Sequence, residues 1–320
     1  MKFMTILASC AVSFMVMGTA VAAEKACPPE ATKPEIGNLK EALKNSHNRG
    51  FLWKITKNGH ASWLYGTIHV AQQSWLVPGP DVLRAVAQSQ VVGLELDLSD
   101  PVTVRILRAA DKPETAAWLA KTGRQKAVAE IAQPLCLSLA ALGNVPLVTQ
   151  AETLSSNVGR GLGYYPAYAI DSVFAGLARS THRKLVPLEE AITQRVLLVG
   201  RTKEEEARKI DANLKDIASG KALSGLVEVA TMWDKSDLAA MEKYATKCDS
   251  AADVCAQDEA VMVSRNIHMA QKIADMHDAG LRVFAAVGSL HMMGPNGLPA
   301  LMKKQGFTVE QSVPAVKTSL

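Results

Sequence analysis

The sequence is poor in two features on which many binding proteins depend, aromatic side chains and an excess of one charge. Only 5% of its 320 residues are aromatic, and the apolar content is mostly Ala, Val and Leu. The formal net charge of +4 becomes +3 when residues 1–22, which contain Lys2 and no acid, are set aside. This mild imbalance, with no basic tract, argues against a nucleic-acid partner.

The sequence also lacks the short motifs of the common hydrolases and nucleotide-binding proteins. It has no His-Glu-x-x-His, no Gly-x-Ser-x-Gly and no phosphate-binding P-loop. Gly159, Gly161 and Gly163 alternate, but they do not stand between a predicted strand and a helix, as a dinucleotide site requires. The usual zinc-protease, serine-hydrolase and nucleotide-hydrolase signatures are therefore excluded.

Residues 1–22 have the pattern of a signal peptide. Lys2 gives a short positive start, residues 3–17 are apolar, and Ala-Val-Ala at positions 20–22 suits a signal peptidase. The apolar run is too short for a comfortable membrane span, and no later segment of the mature chain is apolar enough to form one. We expect cleavage after Ala22 or Ala23 and export to the periplasm of a Gram-negative cell, or secretion.

Export changes the interpretation of the cysteines. Cys10 leaves with the leader, and an even set of four in an oxidising compartment indicates two disulfides, with three possible pairings. Cys248 and Cys255 enclose six residues with a turn signal, so we pair them, which leaves Cys27 with Cys136. A cysteine-ligated metal is the alternative, but no Cys-x-x-Cys is present.

Two segments near the two ends of the chain share one pattern. An apolar strand runs into Gly66, and His69 follows three residues later. The same arrangement recurs at Gly288 and His291. A loop at a strand end holds an imidazole rigidly and leaves it open to solvent, while the preceding glycine allows close approach of backbone or substrate.

The sequence that follows each histidine is also similar. After the first come a helical run at 81–88 and an apolar strand at 91–98; after the second come a helix ending at Lys304 and a strand at 307–309. We predict an α/β fold whose central sheet is built from these two strand–loop–helix–strand units. The middle, about 101–247, should be a large, mostly helical segment.

The predicted domain organisation is simple. Residues 23–50 form an N-terminal arm, and 51–320 form one α/β domain that carries the helical insertion. Asn58-Gly59 is a strong hairpin turn signal between two alternating strands, so a hairpin should present the first Gly-x-x-His loop.

Two acidic residues are candidates for the same site. Alternation over 92–98 puts Val and Leu on one face and Gly93, Glu95 and Asp97 on the other. A buried carboxylate must be paired, hydrogen-bonded or metal-bound; the alternative is a half-exposed edge strand. Glu189 ends a short strand, a common place for site residues in open sheets.

A long helix is predicted at 258–277 and contains Arg265, Asn266 and His268. Ile267 is assigned to its apolar side, and His268 to the surface. The remaining histidines have no partner at metal-ligand spacing and are expected at the surface: His47, His60, His182 and His277.

These features together resemble the TraB/GumN family. The resemblance rests on the two Gly-x-x-His segments and on 91–97, 168–171, 184–189 and 265–266, and it covers roughly 51–309. That family is related to the Tiki metalloproteases, and more distantly to erythromycin esterases and a haem-binding lipoprotein group.

The resemblance implies a site built from both histidines. His69 and His291 would be metal ligands, or one ligand and one base, with Glu95 as a carboxylate ligand or general base and Arg265 as an electrostatic stabiliser. Two imidazoles and a carboxylate suit a divalent Mn, Co or Zn ion. The supporting residues would be Gly66, Gly288, Asp171, Glu189 and Asn266.

The implied function is a metal-dependent hydrolase, a Tiki-like metallopeptidase acting on a peptide or small-molecule substrate. A metal-free hydrolase with His69 as general base is one alternative, and haem binding is another. A third is peptide sequestration, because some TraB relatives are associated with shutting down a peptide pheromone. The simplest alternative is structural: each histidine caps a strand end and hydrogen-bonds backbone.

Overall fold

A six-stranded mixed sheet is the centre of the fold. The computed structural model describes residues 27–32, 39–248 and 252–314, so the predicted signal peptide lies outside the described residues. The strands are β1 Phe51–Lys57, β2 His60–Thr67, β3 Val91–Leu94, β4 Lys184–Pro187, β5 Val283–Gly288 and β6 Thr308–Val313. Their order is β4-β3-β5-β2-β1-β6. The four strands from β4 to β2 are parallel, and β1 is antiparallel to both its neighbours.

Helices surround this sheet and fill the middle of the chain. In the described ranges they are α1 Leu39–Asn45, α2 Pro80–Gln88, α3 Pro101–Leu107, α4 Pro113–Lys121, α5 Arg124–Ala132, α6 Leu139–Leu142, α7 Leu147–Ser156, α8 Ile170–Ser180, α9 Ala191–Val199, α10 Lys203–Ala218, α11 Lys221–Asp234, α12 Leu238–Ala245, α13 Ala252–Asp278 and α14 Leu298–Lys304. None of these described helices is both long and apolar enough to cross a bilayer.

The predicted α/β class and the helical middle segment are both confirmed. Strands β1 and β2 form the expected hairpin, and Asn58 and Gly59 at its turn both have positive φ, which suits the tight two-residue turn. The two Gly-x-x-His strands, β2 and β5, are direct neighbours, with Thr67 opposite Gly288. Residues 283–287 of β5 are fully buried, as a central parallel strand covered on both faces requires.

The strand predicted at 91–98 is shorter than expected. It ends at Leu94, so Glu95 follows the strand and does not lie within it. The chain turns because the Asp97 side chain accepts a hydrogen bond from the Ser99 backbone at 2.9 Å, which stabilises a turn over further extension. Leu98, which the alternation placed on an apolar face, is 62% exposed.

The helical middle segment has a hydrophobic core of its own. Apolar side chains from α4, α5, α7 and α10 form it, separate from the larger core around the sheet. Its most deeply buried members are Val128, Val148, Ala151, Leu154 and Ile210. Strand β4 interrupts this helical sequence and joins the sheet next to β3.

Both predicted disulfides are present, Cys27–Cys136 and Cys248–Cys255. The first joins residues 109 apart in sequence, a closure that contributes about 4 kcal/mol in the chain-entropy account. It fastens the arm at 27–32 to the helical segment, where Glu30 also forms an ion pair with the buried guanidinium of Arg160 at 2.7 Å.

Two predictions about side-chain exposure are wrong. His277 is fully buried because its Nδ1 accepts a hydrogen bond from the Ser62 hydroxyl at 2.8 Å and its Nε2 donates to the Lys57 carbonyl at 3.0 Å. Ile267, assigned to the apolar side of α13, is 51% exposed. His47, His182 and His268 are exposed as expected, and His60 is half-buried.

Candidate functional site

Three candidate side chains meet at the carboxyl-terminal edge of the parallel strands. His69 follows β2, Glu95 follows β3, and His291 lies in a short 3-10 turn after β5. A Cβ atom placed on Gly288 would lie 3.2 Å from Glu95 Oε1, 3.5 Å from His69 Nε2 and 3.8 Å from His291 Cδ2. The three side chains therefore surround one point, and any side chain at position 288 would occupy it.

His69 is held from behind by a carboxylate. Its Nδ1 donates to Asp171 Oδ2 at 2.7 Å, and the Thr67 hydroxyl donates to the other oxygen of that carboxylate at 2.6 Å. Asp171 lies in the first turn of α8. The Asp171 charge raises the pKa of His69 to about 9, and the hydrogen bond to the same carboxylate adds to the shift. At neutral pH the His69 ring is therefore a cation whose Nε2 faces the common point.

His291 is held by an amide instead. Its Nδ1 donates to Asn266 Oδ1 at 2.5 Å, and the Asn266 Nδ2 in turn donates to the Asn296 carbonyl at 2.8 Å, which fixes the orientation of the amide. Burial lowers the pKa of His291. The ring is therefore neutral with an unprotonated Nε2, and this atom lies 3.8 Å from Glu95 Oε1.

Glu95 is fixed through both of its oxygens. Its Oε1 accepts a hydrogen bond from the Gly288 backbone N–H at 2.7 Å, and its Oε2 accepts from Arg265 Nη2 at 3.2 Å and from Gln194 Nε2 at 3.4 Å. The backbone of β5 thus positions the carboxylate that follows β3. These three donors hold the carboxylate close to the two imidazoles.

Arg265 is orientated by a second acid. Its Nε and Nη2 donate to the two oxygens of Glu189 at 2.7 and 2.9 Å, a bidentate geometry that fixes the plane of the guanidinium. Gln194 also donates to Glu189. The side chain of Glu189 therefore holds Arg265 against Glu95.

Gly66, the glycine of the first motif, serves close packing. A Cβ atom there would lie 2.9 Å from Ser289 Oγ and 3.2 Å from Ser289 Cα. The Ser289 hydroxyl donates to the Thr67 carbonyl at 2.8 Å, and the Trp233 indole donates to the Gly66 carbonyl at the same distance. The glycine allows the turn carrying His291 to pack on the strand carrying His69.

The side chains of His69, His291 and Glu95 are of the types that bind a divalent transition metal, but they are not close enough together to form a complete metal site. Two imidazole nitrogens and a carboxylate oxygen are typical ligands, and each histidine has its other ring nitrogen anchored by an oxygen, as metal-ligating histidines do. Within the described residues, however, no group of three His, Cys, Asp or Glu side chains is spaced to hold an ion. Binding an ion through all three would require the side chains to move closer together.

A cleft of about 600 Å³ opens at this edge of the sheet. The candidate residues form one wall, and side chains from α7, α10, α11 and α13 form the other. The helical insertion and the sheet therefore enclose the cleft together.

The nine residues predicted for the site come together at this edge. Sequence reasoning missed Gln194, which bridges Glu95 and Glu189, and also Thr67 and Trp233, which brace the first motif. Thr67 lies inside the Gly-x-x-His segment, so the motif itself pointed to it. Gln194 and Trp233 lie in helices whose sequences give no local sign of these contacts.

Comparison with known proteins gives one decisive result. The model of the TraB/PrgY/gumN family matches residues 51–311. The chain belongs to the TraB/PrgY/gumN family. No curated protein and no solved structure matches the chain. For this family member, both Gly-x-x-His segments lie within the matched region, as do Glu95, Asp171, Glu189 and Arg265.

Proposed function

We propose that this TraB/PrgY/gumN protein is a metal-dependent hydrolase whose site is formed by His69, His291 and Glu95. One observation carries the proposal: the two imidazoles and the carboxylate surround a single point at Gly288, and both imidazoles are anchored through the opposite ring nitrogen. Two histidines that only capped strand ends would have no reason to converge. Convergence of side chains from separate strands is what a ligand set requires.

The proposed roles follow from the protonation states. The neutral Nε2 of His291 is ready to bind an ion, and Glu95 supplies negative charge. His69 must first lose its Nε2 proton, after which Asp171 continues to hold the ring through Nδ1. Arg265 adds a fixed positive charge next to Glu95, where it stabilises negative charge that develops on a substrate. A divalent ion supplies Lewis acidity, which polarises a carbonyl and acidifies water.

A peptide is the substrate class that we favour. The cleft is open to solvent and lies between two layers, so it admits an extended chain. We also propose a periplasmic or secreted location, because the two disulfides suit an oxidising compartment.

The metal-free alternative is weaker at neutral pH. A general base must be unprotonated, whereas Asp171 raises the pKa of His69 to about 9. Haem binding and peptide sequestration remain as outcomes of the test below.

The test is elemental analysis and an absorption spectrum of purified wild type, His69→Ala and His291→Ala, with His268→Ala as the matched control. His268 is an exposed histidine on α13, outside the site. Loss of a partner that supports a ligand typically lowers metal affinity about 10–100-fold, so loss of a ligand itself should cost at least as much. We expect near-stoichiometric metal in wild type and the control, and little in the two site variants.

Hydrolysis of a peptide library should fall in the same two variants. Full metal content and full hydrolysis in both would refute the proposal. A haem absorption band in wild type, lost in His69→Ala, would favour haem binding. Peptide binding with neither metal nor haem would favour sequestration.

A further inference from the structure

The cleft extends well beyond the histidines. Its far wall carries an apolar strip from α11 and α13, formed by Leu226, Val229 and Met262. Helix α7 contributes Glu152 to the same cleft. A ligand that fills this cleft would therefore contact the histidines, apolar side chains and a further carboxylate.

Glu152 differs from the other acids of the cleft. Each oxygen of Glu95 and Glu189 accepts a hydrogen bond from protein. Among the described residues, Glu152 has neither a hydrogen-bond nor an ion-pair partner. The ammonium of nearby Lys209 donates instead to the Leu197 carbonyl at 2.8 Å.

The environment of Glu152 indicates a missing positive charge. Burial raises the pKa of its carboxyl to about 7, and the nearby Lys209 only partly opposes the shift. Glu152 is partly buried and its carboxylate has no partner among the described residues, so a cationic ligand group would supply one.

We propose that Glu152 forms a subsite for the ammonium or guanidinium group of a peptide whose apolar part lies along Leu226, Val229 and Met262. The inference deepens the proposed hydrolase by assigning it basic peptides, and as a statement about substrates it rests on that function. The cation can come from a basic side chain or from a free amino terminus, and the subsite chemistry is the same for both.

The test measures by calorimetry how tightly short apolar peptides of equal length bind to the full-length protein. Bound metal is first removed with a chelator, and the pH is kept above neutral, where Glu152 is ionised. One peptide has an acetylated terminus and one Lys, one has a free terminus and no Lys, and one is acetylated with norleucine in place of Lys. The proteins are wild type, Glu152→Gln and the control Glu130→Gln, which removes an exposed acid of α5 outside the cleft. A charge-assisted contact should favour a cationic peptide over the norleucine peptide by about tenfold or more.

We expect this preference in wild type and Glu130→Gln, and its loss in Glu152→Gln. The better of the two cationic peptides identifies the source of the charge. Glu152→Gln should fold normally, since it removes an unpaired charge; equal thermal melting checks this. The inference is overturned if the three peptides bind equally, if none binds, or if Glu152→Gln keeps the preference.

A His291→Ala variant separates this inference from the proposed function. It should lose metal and hydrolysis but keep the preference for the cationic peptide. If wild type proves to hold no metal and the preference still depends on Glu152, then the hydrolase proposal fails and the binding subsite stands.

Discussion

The two Gly-x-x-His segments have the same spacing, lie on neighbouring strands and point at one spot, yet they hold their histidines in opposite states. The side chain of His69 is 64% exposed and that of His291 is 5% exposed. The first is anchored by a carboxylate and has a raised pKa; the second is anchored by an amide and has a lowered pKa. A sequence repeat has therefore produced one cationic and one neutral imidazole.

The difference shows that the anchor, and not the motif, sets the chemistry of each ring. Asp171 favours the charged imidazole, whereas Asn266 accepts a hydrogen bond from the ring without favouring its charged form. A site with one histidine of each kind can bind a metal readily through one ring and exchange a proton at the other.

The largest expected effect comes from removing the amide anchor. Asn266→Leu leaves the buried Nδ1–H of His291 and the Asn296 carbonyl without partners, so we expect a loss of about 3 kcal/mol in the free energy of unfolding. Asp171→Asn is the corresponding change at the anchor of the exposed His69 ring. It should lower the free energy of unfolding by less than about 1 kcal/mol. Urea denaturation of both variants measures this contrast, and equal losses would contradict it.

The two motif glycines give the next contrast. Gly66→Ala forces a methyl group against Ser289, including its Cα, and should cost about 1–3 kcal/mol of stability. Gly288→Ala meets the ends of Glu95 and His69, which can shift, so it should cost about 1 kcal/mol or less. The added methyl group should nevertheless occupy the point between His69, Glu95 and His291 and so prevent metal binding. Denaturation and metal titration of both variants test this, and a stable Gly66→Ala variant would refute the packing role of that glycine.

The smallest effect is a pH dependence. In the metal-free protein, NMR titration should give His69 a pKa of about 9 and His291 a pKa below the usual 6.5. Because the folded-state pKa of His69 is raised, its interaction with Asp171 stabilises the protein fully below pH 6.5, and this contribution is lost as the pH rises toward 9.

Asp171→Asn should remove that dependence and return the pKa of His69 toward 6.5. The difference in stability between wild type and the variant should then be largest in acid and absent above pH 9. Titration of both histidines together near 6.5 in wild type would show that the two rings do not differ.

Local sequence was enough to predict the elements that carry the site. The Asn58-Gly59 turn, the apolar runs before Gly66 and Gly288, and the spacing of Cys248 and Cys255 each reflect short-range chemistry, and each is found in the structure. The fold class follows from these elements, because parallel strands need crossover helices between them.

Contacts between distant segments could not be predicted in the same way. Trp233 reaches Gly66 across 167 positions, and His277 reaches Ser62 across 215, so periodicity within α11 or α13 gives no indication of either. The alternation of apolar residues after Leu94 predicted a strand to residue 98, and this was wrong. The chain forms a turn there instead, stabilised by the Asp97 side chain. Nor does the sequence show that His69 and His291 differ in charge, since their anchors lie on other elements.

The position of β5 in the sheet also determines when the protein can fold. It lies between β2 and β3, yet its first residue, Val283, follows most of the chain. During synthesis, β2 and β3 are made early, but their facing edges stay unpaired until β5 emerges near the end of the chain. Because these strand pairings join segments distant in sequence, the sheet should form slowly. A truncated chain that stops before Val283 has the separate core of the helical segment but lacks both the middle of the sheet and half of the site.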